Sequence, residues 1–445
     1  MTGLRDFVEQ LEKEGKLAIV EKEVDAKFEI AAILKSAEGK AVKFTNVKGH
    51  DISVVGGVGS SRELIAEALG VEQKDLLFRM ADAIKNPKEP KVVKDAPCQE
   101  IVWKGKDADL TKIPILTHYE KDGGPYLSSS VLFVNNEKWG QNMATHRMML
   151  YGPNNKLVVR VCARDTMEHL NEGGGEIDAA ICIGTHPAVQ LASATRVAID
   201  QDELGIANAL VETPTVKCLT KNITVPSEAE IVLEGKLSSK ERVGEGPFVD
   251  ITGTYDFPKR EEPVFTVETI TMRKDTLFHA LLPGFSEHRL YMGMPREPTI
   301  YNEVNNVCEC KNVVLTPGGC GWLQAIVQIK KKNADDGKKA IEAAYKGHSS
   351  LKHVLVIDED IDIYDRDQLE WAIATRFQAN NDAVIEEYLK GSSVDPSGTK
   401  IEGSDRQKTT RVGMDATIPA DRENKDFARP YIPGEEKIKL EDYKK

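Results

Sequence analysis

The 445-residue sequence predicts a mixed fold, α+β with α/β regions, arranged in three consecutive parts. Apolar residues at helical spacing alternate with short strand patterns near both ends of the chain. Between about residues 111 and 321 the pattern changes to short β-branched segments that glycines and prolines separate. Closely spaced short strands favour an antiparallel or barrel-like sheet over repeated βαβ units. We therefore predict domains at residues 1–110, 111–321 and 322–445.

The first part, residues 1–110, is predicted to form a small α/β unit. Leu4 to Leu11 has the apolar spacing of an amphipathic helix, and Lys43 to Gly56 alternates like strands. A second helix, Ser61 to Leu69, follows a glycine-rich turn whose serines can cap it. The segment from Asn86 to Lys91 contains two prolines, which predicts a linker.

The other two parts contain further short elements. In the middle part, six segments have the composition of strands: Ser128–Val134, Leu157–Val161, Ala179–Ile183, Thr215–Leu219, Glu230–Leu233 and Val264–Thr271. In the last part, strands and helices alternate at Gln324–Ile329, Gly337–Tyr345, His353–Ile357 and Gln368–Phe377. From Gly391 onward, small and polar residues with proline predict an extended arm with a mobile tail.

Composition and charge exclude several classes of protein. The chain has 59 Lys and Arg against 71 Asp and Glu, a net charge of −12, whereas nucleic-acid binding needs a concentrated basic face. No apolar run approaches the ~20 residues that span a bilayer, and the amino terminus lacks the apolar core of a signal peptide. The seven cysteines are irregularly spaced, and Cys308, Cys310 and Cys320 lack C-x-x-C spacing. Free thiols in a reducing cytoplasm are therefore favoured over disulfides or a metal cluster.

Two carboxylates in one short loop are candidates for proton transfer. Glu245 and Asp250 lie between Gly244 and Gly253, where glycines and a proline predict a tight loop between strands. If one acid stays protonated and an arginine keeps the other ionised, the pair can transfer protons near neutral pH. The alternative is structural, with both carboxylates accepting hydrogen bonds from backbone amides of the turn.

Other polar clusters have both functional and structural interpretations. Asn142, His146 and Arg147 follow a predicted strand, and Arg147 can bind a carboxylate or phosphate through two hydrogen bonds. Asp202 and Glu203 most simply begin a helix, where acids suit the helix dipole. The acid-rich segment 358–365 lacks the glycine and glutamate of a calcium loop, so a strand end followed by a helix cap is favoured.

A loop with glycines and prolines at residues 283–298 contains His288, Arg289 and Arg296 beside methionine and aromatic residues. These side chains suit an anionic substrate with an apolar body. A solvated surface loop leading into a helix is the alternative.

Several of these segments, in this order, resemble the UbiD family of decarboxylases, which use prenylated FMN. The resemblance covers roughly residues 100–420. The matching motifs are Val225–Gly235, Glu245–Phe248, Asp250–Gly253, Gly413–Thr417, and the series Asn142 to Arg147 followed by Glu203. The family implies a split-β-barrel flavin-binding domain between an N-terminal α/β region and a C-terminal α/β oligomerisation domain.

The resemblance also implies roles for individual residues. The family's catalytic network is matched by Arg147, Glu245 and Asp250, with Asp250 as proton donor. The ligands of a divalent metal, usually Mn²⁺, are matched by Asn142 and Glu203. A K⁺ ion can be added to this metal. The positions that match cofactor contacts are Asn142, Thr145, His146, Arg147, Arg160, Val161, Cys162, Asp165 and Arg411. At the last of these positions many members have lysine, and arginine changes the geometry of phosphate binding.

One departure concerns the metal site. Many family members supply a histidine soon after the strand that Leu157–Val161 matches, whereas this chain has Ala163–Thr166 there and its nearest histidine is His169. Either Asp165 or a water molecule replaces that ligand, or the register differs.

The implied reaction is reversible decarboxylation of an α,β-unsaturated or aromatic carboxylic acid. The loop with His288 and Arg296 suggests a second anionic group on the substrate, and it is similar to archaeal-type members that decarboxylate trans-anhydromevalonate 5-phosphate to isopentenyl phosphate in isoprenoid biosynthesis. Aromatic or furan acids, such as hydroxybenzoates, are the alternative substrates. A non-catalytic flavin-binding assembly protein and a generic metal-dependent hydrolase are alternatives from other classes. The family further implies a flavin prenyltransferase as cofactor supplier and a homodimer or homohexamer.

Overall fold

A computed structural model describes residues 2–152, 154–256 and 260–444. These residues form twelve α-helices, most with an apolar face toward a sheet or another helix. They are α1 Leu4–Lys13, α2 Glu29–Ser36, α3 Arg62–Leu69, α4 Leu76–Lys85, α5 Asp165–Glu172, α6 Pro187–Ser193, α7 Leu204–Leu210, α8 Ser286–Gly293, α9 Glu297–Asn305, α10 Asp336–Gly347, α11 Arg366–Arg376 and α12 Ala379–Asp382.

The same residues form twenty-four strands, distributed over five sheets. They are β1 Leu17–Val20, β2 Ala41–Phe44, β3 Ser53–Gly56, β4 Val92–Val93, β5 Ile101–Lys104, β6 Tyr126–Leu127, β7 Val131–Asn136, β8 Gly140–Thr145, β9 Met148–Tyr151, β10 Lys156–Val159, β11 Glu176–Ile183, β12 Thr215–Lys217, β13 Thr224–Pro226, β14 Ile231–Glu245, β15 Phe248–Val249, β16 Tyr255–Asp256, β17 Arg260–Met272, β18 Leu277–His279, β19 Glu309–Leu315, β20 Gln324–Lys330, β21 His353–Asp358, β22 Ala383–Lys390, β23 Thr399–Lys400 and β24 Gln407–Asp415.

A four-stranded sheet in the order β1-β2-β3-β18 lies near the amino terminus. Its fourth strand comes from a distant part of the sequence, since Leu277 pairs in parallel with Ser53. Helix α3 begins as predicted, because the Oγ atom of Ser61 accepts a hydrogen bond from the amide of Leu64 at 3.2 Å. The predicted helix at residues 4–11 is also confirmed, with Phe7 fully buried against this sheet.

A nine-stranded antiparallel sheet forms the centre of the molecule, which confirms the prediction of antiparallel strands. Its order is β6-β9-β10-β17-β14-β11-β7-β8, and β5 pairs beside β17. Because successive side chains of a strand point to opposite faces, Leu132 and Val134 pack into one apolar cluster with Phe265. Val131 and Phe133 pack into a second cluster with helices α6 and α7.

The central sheet is curled. Strand β8 stands last in the sheet order and β9 stands second, yet only His146 and Arg147 connect them. Three Cα–Cα steps span at most about 11 Å, so the two ends of the sheet lie close together. The described residues show no β6–β8 pairing, and the sheet is therefore a split barrel. Arg147 lies at the split.

The last sheet has the order β19-β20-β21-β24-β22, with β23 beside β24. Strands β20, β21 and β24 are parallel, and α10 crosses between the first two. The four elements predicted between residues 324 and 377 are confirmed. The extended arm predicted from Gly391 onward is wrong for residues 407–415, which form β24. The buried positions of β24 are Thr409, Arg411, Gly413 and Asp415, so its burial alternates without an apolar pattern.

The described residues lack a disulfide, a cluster of metal-ligating residues and a membrane-crossing helix. Their seven cysteines are free, no group of three or more His, Cys, Asp and Glu residues is arranged to hold a metal, and no helix has both the length and the apolar character needed to cross a membrane. The division of the chain after residues 110 and 321 stays a prediction.

Candidate active site

Arg147, Glu245 and Asp250 meet at the split of the barrel. The guanidinium of Arg147 binds Glu245 through two hydrogen bonds, from Nε to Oε1 at 3.0 Å and from Nη2 to Oε2 at 2.9 Å. Its third nitrogen, Nη1, donates to Oδ2 of Asp250 at 2.9 Å. The three residues that the sequence proposed as a catalytic network are therefore in direct contact, although 98 residues separate the first two.

The loop that carries both carboxylates is fixed by its backbone. Strand β14 ends at Glu245, and Gly246 follows with φ of +101°, a conformation that favours glycine. Strands β15 and β16 then form a short hairpin. Its turn is closed by hydrogen bonds from the amide of Asp250 to the carbonyl of Thr254 and from the amide of Gly253 to the carbonyl of Asp250. The predicted tight loop between strands is confirmed.

Two further residues join this network. Tyr126 donates its hydroxyl hydrogen to Oε1 of Glu245 at 2.8 Å, and its ring packs against Phe248 with centroids 4.6 Å apart. Asp256 accepts a hydrogen bond from Nη2 of Arg147 at 3.1 Å and also pairs with Arg260. The sequence analysis missed Tyr126 and Asp256. Of these two residues, only Asp256 could have been found from the sequence, because it lies just beyond the glycine-rich loop.

The two carboxylates that Arg147 binds differ in exposure. The side chain of Glu245 is fully buried, whereas that of Asp250 is 25% exposed. Burial alone would lower the pKa of Arg147, but the charges of Glu245 and Asp250 hold it well above its ordinary value. The guanidinium is therefore permanently charged. Of the two carboxylates, only that of Asp250 is exposed to solvent.

Asn142 and Glu203 also lie side by side, in a buried position. Nδ2 of Asn142 donates to Oε1 of Glu203 at 3.0 Å, and the amide of Met143 donates to Oε2 at 2.8 Å. Burial raises the pKa of Glu203 to about 8. Carboxylate and amide oxygens suit a hard divalent cation. To bind one here, the amide of Asn142 has to rotate so that Oδ1 faces the cation. Helix α7 begins at Leu204, directly after this pair, as predicted.

The remaining predicted cofactor contacts, apart from Arg411, lie at the end of β8, in the β8–β9 connection, after β10 and at the start of α5. His146 is held from both sides, with Nδ1 3.0 Å from the carbonyl of Arg160 and Nε2 3.1 Å from Oγ1 of Thr166. Burial lowers the pKa of His146 to about 4, so it is neutral at pH 7. Arg160 pairs with Glu262 at 2.7 Å. Thr145, Val161, Cys162 and Asp165 lie within three residues of these side chains in the sequence.

Arg411, by contrast, belongs to the C-terminal sheet. Its guanidinium lies over the ring of Tyr345 and 3.9 Å from Glu386, and its buried Nε has no hydrogen-bond partner among the described residues. No described hydrogen bond or ion pair joins it to the catalytic three.

His288 and Arg296 occupy opposite ends of one helical segment, formed by α8 and the 3-10 turn that follows it. Burial lowers the pKa of His288 to about 4, helped by the nearby charges of Arg147 and Arg289. Its Nδ1 accepts a hydrogen bond from the amide of Gly284 at 3.0 Å, so the neutral ring carries its proton on Nε2. His288 is therefore a neutral hydrogen-bond donor rather than a cation at pH 7.

A cavity of about 890 Å³ lies on the side of α8 that faces helix α3 and the C-terminal sheet. Its walls include Arg62, Leu290, Met294 and Tyr364. None of the predicted catalytic residues lines it.

Comparison with known proteins agrees with this fold. Three family models match, all described as domains of 3-octaprenyl-4-hydroxybenzoate carboxy-lyase, UbiD: the N-terminal domain at residues 8–84, the Rift-related domain at 91–312 and the C-terminal domain at 289–416. A curated relative from Methanothermobacter thermautotrophicus, anhydromevalonate phosphate decarboxylase, is 42% identical over 427 residues, which cover 94% of this chain and 97% of the relative.

Two solved structures are similar over nearly the whole chain. The UbiD-class enzyme HmfF from Pelotomaculum thermopropionicum, in complex with FMN, has a TM-score of 0.94 and 38% identity over 99% of this chain and all of that one. An evolved dimeric form of the same enzyme, in complex with prenylated FMN, has a TM-score of 0.90 and 37% identity over the full length of both chains.

The structure thus combines a split barrel with an arginine that is bound to two carboxylates at the split. The chain belongs to the UbiD family and is a decarboxylase, a carboxy-lyase, of that family.

Proposed function

We propose that the chain decarboxylates trans-anhydromevalonate 5-phosphate to isopentenyl phosphate and CO₂ with prenylated FMN as cofactor. The observation that carries the chemistry is the contact of Arg147 with both Glu245 and Asp250. The choice of substrate is supported by the relative named anhydromevalonate phosphate decarboxylase, which is similar over 94% of the chain. The choice of cofactor is supported by the similar structure that contains prenylated FMN.

Arg147 binds the carboxylate of the substrate and keeps Glu245 ionised. The incoming carboxylate competes with Asp250 for Nη1 of Arg147, since Asp250 is held there by a single hydrogen bond. The substrate carboxylate thereby takes the place of the Asp250 carboxylate at this nitrogen. Prenylated FMN supplies the electron sink for the electron pair that CO₂ leaves behind. Asp250 then donates its proton to the carbon that has lost CO₂.

Asn142 and Glu203 would hold a divalent cation, Mn²⁺, that neutralises the phosphate of the cofactor. We include a bound K⁺ ion in the same proposal. Both side chains would offer oxygen, the ligand atom that such a cation prefers. The backbone and side chains from Thr145 to Arg147 and from Arg160 to Asp165 line the rest of the cofactor. Arg411 approaches the phosphate from the C-terminal sheet. Its buried Nε, without a partner in the described part of the chain, is a donor that an anion would satisfy.

Arg296 and His288 bind the second anionic group of the substrate. Arg296 keeps its charge at neutral pH, and Nε2–H of neutral His288 supplies a directed hydrogen bond. An acid with one carboxylate and no second anion leaves Arg296 unpaired, so phosphorylated acids are favoured over simple ones.

The proposal also includes the supply of the cofactor, the location of the chain and its assembly. A flavin prenyltransferase supplies prenylated FMN, and the chain works in the cytoplasm as a homodimer or homohexamer. The similar structure described as an evolved dimeric form agrees with assembly of this kind of subunit.

The test is CO₂ release, measured without oxygen after co-expression with a flavin prenyltransferase. The substrates are trans-anhydromevalonate 5-phosphate, its dephosphorylated form, a furan dicarboxylate and a hydroxybenzoate. We expect turnover of the first acid to exceed that of the others. Faster turnover of an aromatic or furan acid would overturn the proposed choice of substrate. No CO₂ from any acid, with the flavin bound, would favour a non-catalytic flavin-binding protein.

A further inference from the structure

The guanidinium of Arg147 has little hydrogen-bonding capacity to spare. A guanidinium carries five N–H groups. Here one on Nε and one on Nη2 donate to Glu245, and the other on Nη2 donates to Oδ2 of Asp256 at 3.1 Å. One on Nη1 donates to Asp250. Among the residues that the structure describes, only the second N–H group of Nη1 is left for an incoming carboxylate.

One face of the guanidinium is covered as well. Its central carbon lies 4.8 Å from the centre of the Phe248 ring. Strand β15, which contains Phe248, pairs with β16, and the register places Phe248 opposite Asp256. The same two-stranded hairpin therefore holds both the ring and the third carboxylate against Arg147.

Asp256 is held in this place as an anion. Its Oδ2 accepts from Nη2 of Arg147 and also from Nη1 of Arg260, four residues further along the chain. Burial alone would raise the pKa of Asp256, but the charges of Arg147 and Arg260 hold it below its ordinary value. Hydrogen bonds between two charged groups are stronger than those between neutral ones. Asp256 therefore keeps Nη2 occupied at neutral pH.

This occupancy limits how a substrate carboxylate can bind. A carboxylate binds a guanidinium most strongly through two parallel hydrogen bonds from two different nitrogens. Glu245 already takes the edge formed by Nε and Nη2 in this way. The other edge is formed by Nη1 and Nη2, and Asp256 blocks its Nη2 end. An incoming carboxylate is left with Nη1, the nitrogen at which it meets Asp250.

We propose that Asp256 is a positioning residue that directs the substrate carboxylate to Nη1 of Arg147, beside the proposed proton donor Asp250. The inference rests on the proposed function and adds Asp256 to it, with Arg260 as its support. Binding through one nitrogen is weaker than binding through two, but it keeps the carboxylate next to the acid that protonates the same carbon. Without Asp256 the carboxylate binds more tightly, centred between Nη1 and Nη2.

The first test is the affinity of crotonate, a short α,β-unsaturated acid, for the FMN-loaded protein. FMN is not the proposed cofactor, so flavin fluorescence reports binding without turnover. Asp256→Ala should bind crotonate about tenfold more tightly, because one more charge-assisted hydrogen bond forms. The double variant Asp256→Ala/Arg260→Ala should do the same. It removes one negative and one positive charge together, so that a change in net charge does not explain the effect.

Two further variants serve as controls. Asp256→Asn keeps an oxygen that can accept from both arginines, because both bind the single atom Oδ2. It should restore the weaker affinity. Asp335→Ala/Lys339→Ala removes an exposed ion pair whose residues are also four apart. It should bind crotonate as the unaltered chain does.

The second test is CO₂ release with prenylated FMN, for the acid that the unaltered chain decarboxylates. Asp256→Ala should lower KM and lower kcat about tenfold or more, because the carboxylate binds more tightly but farther from Asp250. Asp256→Asn should recover most of kcat. A merely structural role of Asp256 would instead raise KM while kcat falls.

Two results would overturn the inference. One is crotonate affinity that is unchanged or weaker in both variants with alanine at position 256. The other needs no variant: a crystal structure of the FMN-loaded protein in which crotonate lies across Nη1 and Nη2 and displaces Asp256. Failure of the proposed function looks different. In that case the crotonate affinities change as expected, but no acid releases CO₂ with prenylated FMN.

Discussion

Tyr126 donates a hydrogen bond to the buried carboxylate of Glu245 from 119 residues away in the sequence. The phenol and Nε of Arg147 bind the same oxygen, Oε1. Glu245 therefore accepts three hydrogen bonds from two side chains, which fix the orientation of its carboxylate. Asp250 accepts one hydrogen bond from Arg147 and one from the amide of Ile251, and its side chain is 25% exposed.

Replacing Asp250, the proposed proton donor, is the sharpest test of this division of roles. Asp250→Asn keeps the size of the side chain but cannot donate an acidic proton. We expect kcat for decarboxylation to fall by about 10²- to 10⁴-fold. Affinity for FMN, measured by flavin fluorescence, should not change. The exposed Asp367→Asn variant is the control, and retained turnover in Asp250→Asn would contradict the donor role.

Tyr126→Phe removes one hydrogen bond and leaves the ring on Phe248. A hydrogen bond to a charged group contributes about 1.5–3 kcal/mol. We expect the free energy of unfolding to fall by about that amount and kcat to fall about tenfold, because Glu245 becomes less well positioned. Tyr431→Phe is the matched control, since Tyr431 also donates to a glutamate, Glu436, but at the exposed surface. Equal effects in the two variants would contradict a positioning role for Tyr126.

Neighbouring glycines offer a steric test of the catalytic loop. A Cβ atom on Gly123 would lie 2.4 Å from the carbonyl oxygen of Gly246, directly after Glu245. A Cβ atom on Gly124 would have no neighbour nearer than 3.5 Å. Gly123→Ala should therefore displace the loop, destabilise the protein by about 1–3 kcal/mol and lower kcat. Gly124→Ala should behave like the unaltered chain. Thermal unfolding and CO₂ release measure both effects.

Because of Asp122, we expect the free energy of unfolding to depend on pH. Burial raises its pKa to about 6, from 3.8, although the amides of His118 and Tyr119 donate to Oδ2. The folded chain then binds this proton more tightly than the unfolded chain. Stability falls as the pH rises from about 4 to about 6.

Asp122→Asn keeps the acceptor oxygen and removes the titration. Urea unfolding across this pH range should show a smaller loss of stability in the variant than in the unaltered chain. Parallel curves for the two proteins would show that Asp122 is not the responsible group.

The proposed cation site predicts a dependence of FMN binding on metal. Mn²⁺ should tighten FMN binding by the unaltered chain, because the cation neutralises both Glu203 and the phosphate. Glu203→Gln should lose most of this effect, whereas Asp178→Asn, at an exposed aspartate that pairs with Lys221, should retain it. Fluorescence titrations of FMN with Mn²⁺ or with a chelator measure the difference. Identical titrations in all three proteins would contradict a metal at Glu203.

The sequence was sufficient for features that local patterns determine. Glycines around Glu245 and Asp250 predicted their loop, and serine before α3 predicted its cap. The residues of β24 were missed because a buried arginine and aspartate replace the apolar residues that normally indicate a strand. Tyr126 was missed for another reason. Its contact with Glu245 depends on the pairing of distant strands, which no local pattern encodes.

The closeness of the arginine and the two acids was predicted from the family resemblance, not from the residues themselves. Its physical origin is the two-residue connection from β8 to β9. That connection places Arg147 where the edges of the curled sheet approach each other.

Strand β18 has a practical consequence for anyone who wants to study the barrel alone. It follows the barrel in the sequence but forms the edge of the amino-terminal sheet, in register with β3. A fragment that starts after residue 110 would carry an unpaired strand with three buried residues, Leu277 to His279, newly open to water. Such edges recruit other chains. The fragment should aggregate by itself and regain solubility when produced together with residues 1–110.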